Sequence, residues 1–458
     1  MTAPLPLPEI PETIIPARPQ PSRTNSLVLY GAAALLMFAP LAFGAVEPWA
    51  IFVVEFGAAI LLVIWMLHQV RAGQISVAPN RVFAPMLAFA VLISLQLLPG
   101  ASAYEHATSS ALLRYTAYGI VCFLITQTLF RTTHVQRIAT VLGIYGACLA
   151  LFAALQGISS NGKIYWLRTP RFGGWIYGPY VNHNHYAGLM EMLAPIPLVF
   201  AFSKYAHGRK RWIAAAAAAF MGATIFLSGS RGGMTAFAAE IGIFFWLLFR
   251  ERTRNRVVLL MGGFLLISLV SIAWIGGSEV SSRIATVTGN HRSQVTMDIR
   301  LKIDEDSLRM FAKRPILGWG LATFEYAYPE FRSFYTNSLV NAVHNDYLQV
   351  LVETGLLGFA ITVWLLVAAI RPGLRKLRNW PSDVNGSVAL AALLGISGIL
   401  VHSFVDFNLQ IPANAMLFYV LCTLAGMEPR FRNFRREHKH RTAVTDELPS
   451  ENLSDLPI

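Results

Sequence analysis

A chain of 458 residues with 55% hydrophobic and 14% charged residues and a mean hydropathy of +0.49 carries far less charge than a soluble globular domain, where about a quarter is usual. Long apolar stretches recur from end to end, which excludes a single soluble core and makes this a protein that crosses a membrane many times. The net charge of +12 calls for no nucleic acid, because most basic residues stand between apolar runs, where anionic lipid accounts for them.

The first 24 residues are rich in proline and poor in apolar residues, the composition of a disordered cytoplasmic tail rather than of a cleaved signal. Apolar windows then predict spans near 27–45, 49–67, 82–98, 111–130, 138–157, 185–203, 212–227, 234–249, 257–275, 346–370, 386–406 and 412–427. In lipid the backbone must satisfy itself, and no alternating strand pattern is present, so these spans are helices. The fold expected is an all-α polytopic membrane protein of about twelve transmembrane helices. Its parts are a tail (1–24), helices 1–9 (25–275), a large periplasmic loop between helices 9 and 10 (276–345), helices 10–12 (346–427) and a second cytoplasmic tail (428–458).

Basic residues mark the connections that stay inside: Arg71 and Arg81, Arg131 and Arg137, Lys204 to Arg211, Arg250 to Arg256, and Arg371 to Arg378. That alternation satisfies the positive-inside rule and puts both termini in the cytoplasm. Two outer connections run against it. The loop 158–184 holds Lys163, Arg168 and Arg171, and the long loop holds Arg283, Arg292, Arg300, Lys302, Arg309, Lys313, Arg314 and Arg332. A long loop crosses regardless of charge, whereas the shorter one points to an anionic ligand on the outer face. The three cysteines, Cys122, Cys148 and Cys422, all sit in apolar runs and read as small buried side chains.

Three motifs carry chemistry. In FLSGSRGGMTAF, Gly229, Gly232 and Gly233 let backbone N–H groups converge beside Arg231, an arrangement suited to phosphate oxygens; a tight hairpin with a snorkelling arginine reads equally well. The stretch FGGWIYGPYVNHNHYAGLMEM, preceded by Arg171, gathers Asn182, His183, Asn184 and His185 among tyrosines and a tryptophan. Rings cover sugar faces and amides bind hydroxyls, although an interfacial aromatic belt has the same composition. Two histidines alone make no metal site, so neither metal nor cofactor is expected. From Arg300, apolar residues at helical spacing predict a short amphipathic helix that stops at Pro315. His344 follows at the lip of the tenth span with Asn345, where a helix N-terminus disfavours imidazolium and leaves a neutral base. Glu353 and Asp406 read first as partners that neutralise Arg231 or Arg300.

SGSRGG, RPILGWGLATFE, HNDYLQVLVETGLLG and VHSFVDFNLQIPANA, in that order, resemble the O-antigen ligase and polymerase superfamily of bacterial envelopes, from about Phe43 to Leu424. The resemblance implies a metal-independent inverting glycosyltransferase of the inner membrane. Such an enzyme moves a glycan from undecaprenyl diphosphate to an acceptor hydroxyl, lipid A core for a ligase, in lipopolysaccharide or polysaccharide biosynthesis. By motif position the family's histidine falls on His344 and its diphosphate-gripping arginines on Arg231 and Arg300, with Arg171, Asn182, Asn184 and Asn345 as further substrate-binding candidates. Gly355 and Gly358 follow the histidine, but Thr354 precedes them, a departure from the ligase pattern that leaves polymerisation and transfer to a protein hydroxyl open. A flippase or transporter is the rival of another class; such folds repeat their halves and place polar groups near the midplane, and no internal repeat is evident.

Overall fold

Every apolar run that falls within the described residues is helical in the computed structural model, as self-satisfied backbone in lipid requires. The structure describes residues 22–73, 75–129, 131–170, 175–251, 262, 297–336 and 339–427. The expected ninth span, the start of the long loop, the C-terminal tail and Arg171 lie outside them.

The helices are α1 (Arg23–Leu41), α2 (Pro48–Arg71), α3 (Phe83–Gln96), α4 (Glu105–Thr128), α5 (Thr132–Ile158), α6 (His183–Leu193), α7 (Pro195–Phe202), α8 (Arg209–Ser228), α9 (Arg231–Glu251), α10 (Met297–Lys313), the single turn α11 (Phe324–Ala327), α12 (Asp346–Lys376), α13 (Val384–His402) and α14 (Pro412–Gly426). No strand occurs among the described residues. Among the described residues, nine helical stretches, with α6 and α7 counted as one, are long and apolar enough to cross a bilayer, while α3 and α14 are apolar but shorter. This is an all-α polytopic membrane protein.

The centre of the bundle is α13, which packs against α6, α7, α9, α12 and α14. Around it lies one large core, from Leu149 on α5 through Met190, Phe244 and Leu394 to Leu421; a second joins α1, α2 and α4. The α6–α7 stretch is the most enclosed of the spans at 89% buried, its polar His183, His185 and Glu191 included. On α5, by contrast, one face looks outward through Ile144, Leu151 and Leu155, and Cys148 lies on it. Apolar surroundings in the sequence therefore did not mean burial for this cysteine, because lipid-facing and core-facing positions are equally apolar.

Connections at one end of the bundle hold one another. Tyr165 donates to the Leu41 carbonyl at 2.5 Å, Arg168 pairs with Glu47, Ala103 N–H donates to Trp319 O at 2.7 Å, and Tyr180 donates to Asn414 at 3.0 Å. The amphipathic helix expected from Arg300 is present as α10; Ile303, Met310, Phe324 and Val352 form a small core beneath it. The chain after it, Pro315 to Gly320, enters a break in α12. Gly355 has φ 67° and ψ −169°, a conformation that essentially only glycine adopts. Backbone groups freed by the break are all met: Leu356 N–H by Pro315 O, and the carbonyls of Val352 and Glu353 by Trp319 and Gly320 N–H. Irregular backbone within a spanning helix is tolerable only on such terms.

Candidate active site

At the same end the loop after α13 brings Val405, Asp406 and Phe407 into contact with four separate segments. The Phe407 ring stands edge-on between two imidazoles, with centroids 4.8 Å from His344 and 4.8 Å from His185. Asp406 lies 3.7 Å from His185 Nε2 and accepts from the Asn184 amide and from Phe407 N–H at 2.8 Å. The Val405 carbonyl accepts from Arg300 Nη1 at 2.7 Å. The Val405 side chain closes on Gly232, next to Arg231, where an added Cβ would stand 2.8 Å from it.

His344 has φ 64°, a left-handed backbone uncommon outside glycine and asparagine. Its Nδ1 is buried and has no hydrogen-bond partner among the described residues. Burial drives its pKa down to about 4 against the pull of nearby Asp406, and Arg300 and His185 push the same way. The imidazole is therefore neutral at physiological pH and has a nitrogen open to a proton. Burial works to raise the Asp406 pKa, yet the histidines around it, His185 first, hold it below the ordinary carboxylate range. An anion thus faces two imidazoles, a setting that stabilises positive charge arising on either.

Arg300 projects from α10, with Nε buried and unpartnered among the described residues. Asp304, one turn on, is raised by burial while Arg300 opposes, and no described carboxylate comes within ion-pair distance of the guanidinium. Arg231 is exposed at the first residue of α9 and is equally free of a described acidic partner. Of the three glycines around it, only Gly229 has a positive φ, 77°, as the left-handed cap of α8. Gly232 and Gly233 are helical, so no convergent nest forms. They serve close approach instead: a Cβ would meet His402 and Val405 at Gly232, and Ala187 and Glu191 at Gly233. The turn rests on a buried Glu191–His402 pair, 2.9 Å apart.

The two carboxylates expected to neutralise the arginines do otherwise. Glu353 accepts from Ala322 and Phe324 N–H at 3.0 and 3.2 Å and from Gln349 at 2.8 Å, so it anchors the loop that fills the α12 break. Asp406 serves the histidines. Both choices follow from geometry, since a buried carboxylate takes the donors that the backbone places around it. Asn182 caps α6, its Oδ1 accepting from Asn184 N–H at 2.9 Å, and Asn345 caps α12, accepting from Tyr347 and Leu348 N–H at 3.1 and 3.2 Å. Both amide oxygens are committed to the backbone. His185 and the 405–407 segment were not singled out as site residues by the sequence reading; the clue available was Asp406 one helical turn beyond His402.

Residues 216–363 match the family model described as O-antigen ligase, a segment that contains Arg231, Arg300 and His344 but neither His185 nor Asp406. The chain is also 23% identical over 299 residues to the exopolysaccharide production protein ExoQ of Rhizobium meliloti (strain 1021), a match covering 60% of this chain and 66% of that one, just under two thirds of its length. The chain is thus similar to the O-antigen ligase family over residues 216–363 and, more distantly, to an exopolysaccharide production protein.

Proposed function

We propose that the protein transfers a glycan from a polyprenyl diphosphate, undecaprenyl diphosphate in a bacterial inner membrane, to an acceptor hydroxyl at the periplasmic face. The observation that carries this reading is the neutral His344 beside Asp406, its Nδ1 without a hydrogen-bond partner among the described residues, with Arg300 in the same cluster and no described carboxylate within ion-pair distance of it. His344 accepts the acceptor's hydroxyl proton, and Asp406 stabilises the imidazolium that results. The oxygen attacks the anomeric carbon as its bond to the diphosphate breaks, and the leaving group keeps the electron pair. Arg231 and Arg300 meet the charge that develops on the diphosphate, the role that Mg²⁺ has in many transferases. One displacement inverts the centre, since retention needs an enzyme nucleophile.

Ligation to a lipid A core hydroxyl is the favoured reaction. Chain polymerisation is the second reading, and the similarity to an exopolysaccharide production protein favours it. The test is purified full-length protein with defined undecaprenyl diphosphate glycan, offered lipid A core, further donor or a peptide hydroxyl in turn, in excess EDTA. The expected product carries one new glycosidic bond of inverted configuration, formed without metal. Movement of labelled donor across the membrane with no new bond would show a flippase; retention, or loss of activity on chelation, would sink the mechanism.

A further inference from the structure

At Leu409 and Gln410, in the turn after Phe407, a second polar mouth opens onto an apolar interior. A pocket of about 300 Å³ is lined by Arg114, Tyr118, Ala322 and Pro412. It shares Tyr115, Leu321, Leu409, Gln410 and Ala415 with a cavity of about 830 Å³ that runs between α12 and α14 toward Phe359 and Leu366. That cavity in turn shares Phe89, Thr362 and Tyr419 with a third, of about 380 Å³, between α3 and α12. The three form one crevice, apolar in its depth.

The charge at its mouth is unusual. Arg114 lies inside a spanning helix, half buried, and has neither an ion pair nor a hydrogen bond with a described residue. Glu55 and Glu353 act on it only at a distance, and both Glu353 oxygens are occupied by Ala322, Phe324 and Gln349. An arginine within a bilayer without a partner marks a site for an anion, and its planar fork suits phosphate oxygens.

We infer that this crevice binds one lipid of net negative charge, its phosphate on Arg114 and its chain threaded past Ala415 between α12 and α14. Only a lipid combines an anionic head with a long apolar chain already dissolved in the surrounding membrane, and the third cavity lies where α3 and α12 meet. Arg231, Arg300 and His344 do not line the crevice, and the inference does not depend on the transfer chemistry. The ligand is an anionic membrane phospholipid or a polyprenyl phosphate.

Full-length protein in mild detergent, examined by native mass spectrometry with phosphatidylglycerol, phosphatidylcholine or undecaprenyl monophosphate, tests it. One anionic lipid should stay bound, and whichever of the two does so identifies the source. Arg114→Gln should weaken retention about tenfold or more, the worth of one charge-assisted contact. Ala415→Phe, which fills the junction of head pocket and cavity, should abolish it. Equal retention of phosphatidylcholine by the wild-type protein, which needs no variant to fold, would overturn the inference, as would undiminished retention in either variant.

Discussion

A left-handed backbone at a histidine costs about 1–3 kcal/mol, and His344 adopts one at φ 64°. Asparagine tolerates that conformation best among side-chain-bearing residues, so His344→Asn should stay folded while losing transfer about 10²- to 10⁴-fold, the usual contribution of a general base. Product formation near wild type would remove His344 from the chemistry. Because its pKa is lowered to about 4, the base form persists well below neutrality, and the acid limb of the pH–rate profile should fall near pH 4 rather than near the ordinary histidine value. The sign for stability follows: the unfolded chain takes up this proton first, so its contribution is full above about 6.5 and is lost as pH falls toward 4. The melting temperature of His344→Asn should accordingly drop less than that of wild type between pH 7 and 5. For Arg231 the comparison is lysine against alanine. A point ammonium does not reproduce a bidentate fork, so both variants should fail in the transfer assay, and activity restored by lysine would make the residue an anchor. Sequence motifs could point to Arg231, Arg300 and His344. They could not point to the link between His185 and Asp406, because no local pattern joins residues 221 positions apart in the chain.

At the scale of elements, helical runs were readable because apolar length alone identifies a span. Where they stop being regular was not. Glycine is common in spanning helices, so Gly355 looked like a member of a motif, whereas the structure makes it the hinge at which RPILGWG inserts. A Cβ there would stand 2.2 Å from the Ile316 carbonyl oxygen, which is backbone and does not yield. Gly355→Ala should therefore cost about 3 kcal/mol or more, seen as a lower melting temperature and less protein recovered as a single species by size exclusion. Gly242, with nothing within 4 Å of its added Cβ, is the control, and Gly242→Ala should melt as wild type does. Of the two readings open for the three-glycine turn, the backbone adopts the tight hairpin: only Gly229 needs its freedom, while Gly232 and Gly233 are small because His402 and Glu191 crowd them.

For the whole molecule, alternating basic connections predict which end faces which compartment, and the bundle gathers the loops around His344 at a single end. Reporter fusions or cysteine labelling should place residues near Arg231 and His344 on the periplasmic side and the Arg209–Lys210–Arg211 cluster on the cytoplasmic side; labelling of that cluster from the periplasm would overturn the topology. Composition made the class legible, and charge predicts the orientation that the labelling would test. They left the path of the outer loops open, since loops carry no periodic signature.

The 405–407 segment has a consequence in time. His185, the Arg231 turn, Arg300 and His344 leave the ribosome well before Asp406 does, and they acquire a common neighbour only when α13 and the turn behind it are in place. A nascent chain inserted through α12 already exposes the histidine and the arginines, yet it lacks the carboxylate that fixes the imidazoles and the carbonyl that orients Arg300. Activity should thus begin abruptly, only once α13 and the turn behind it are in place, and incompletely inserted chains should be inert toward a scarce lipid-linked donor.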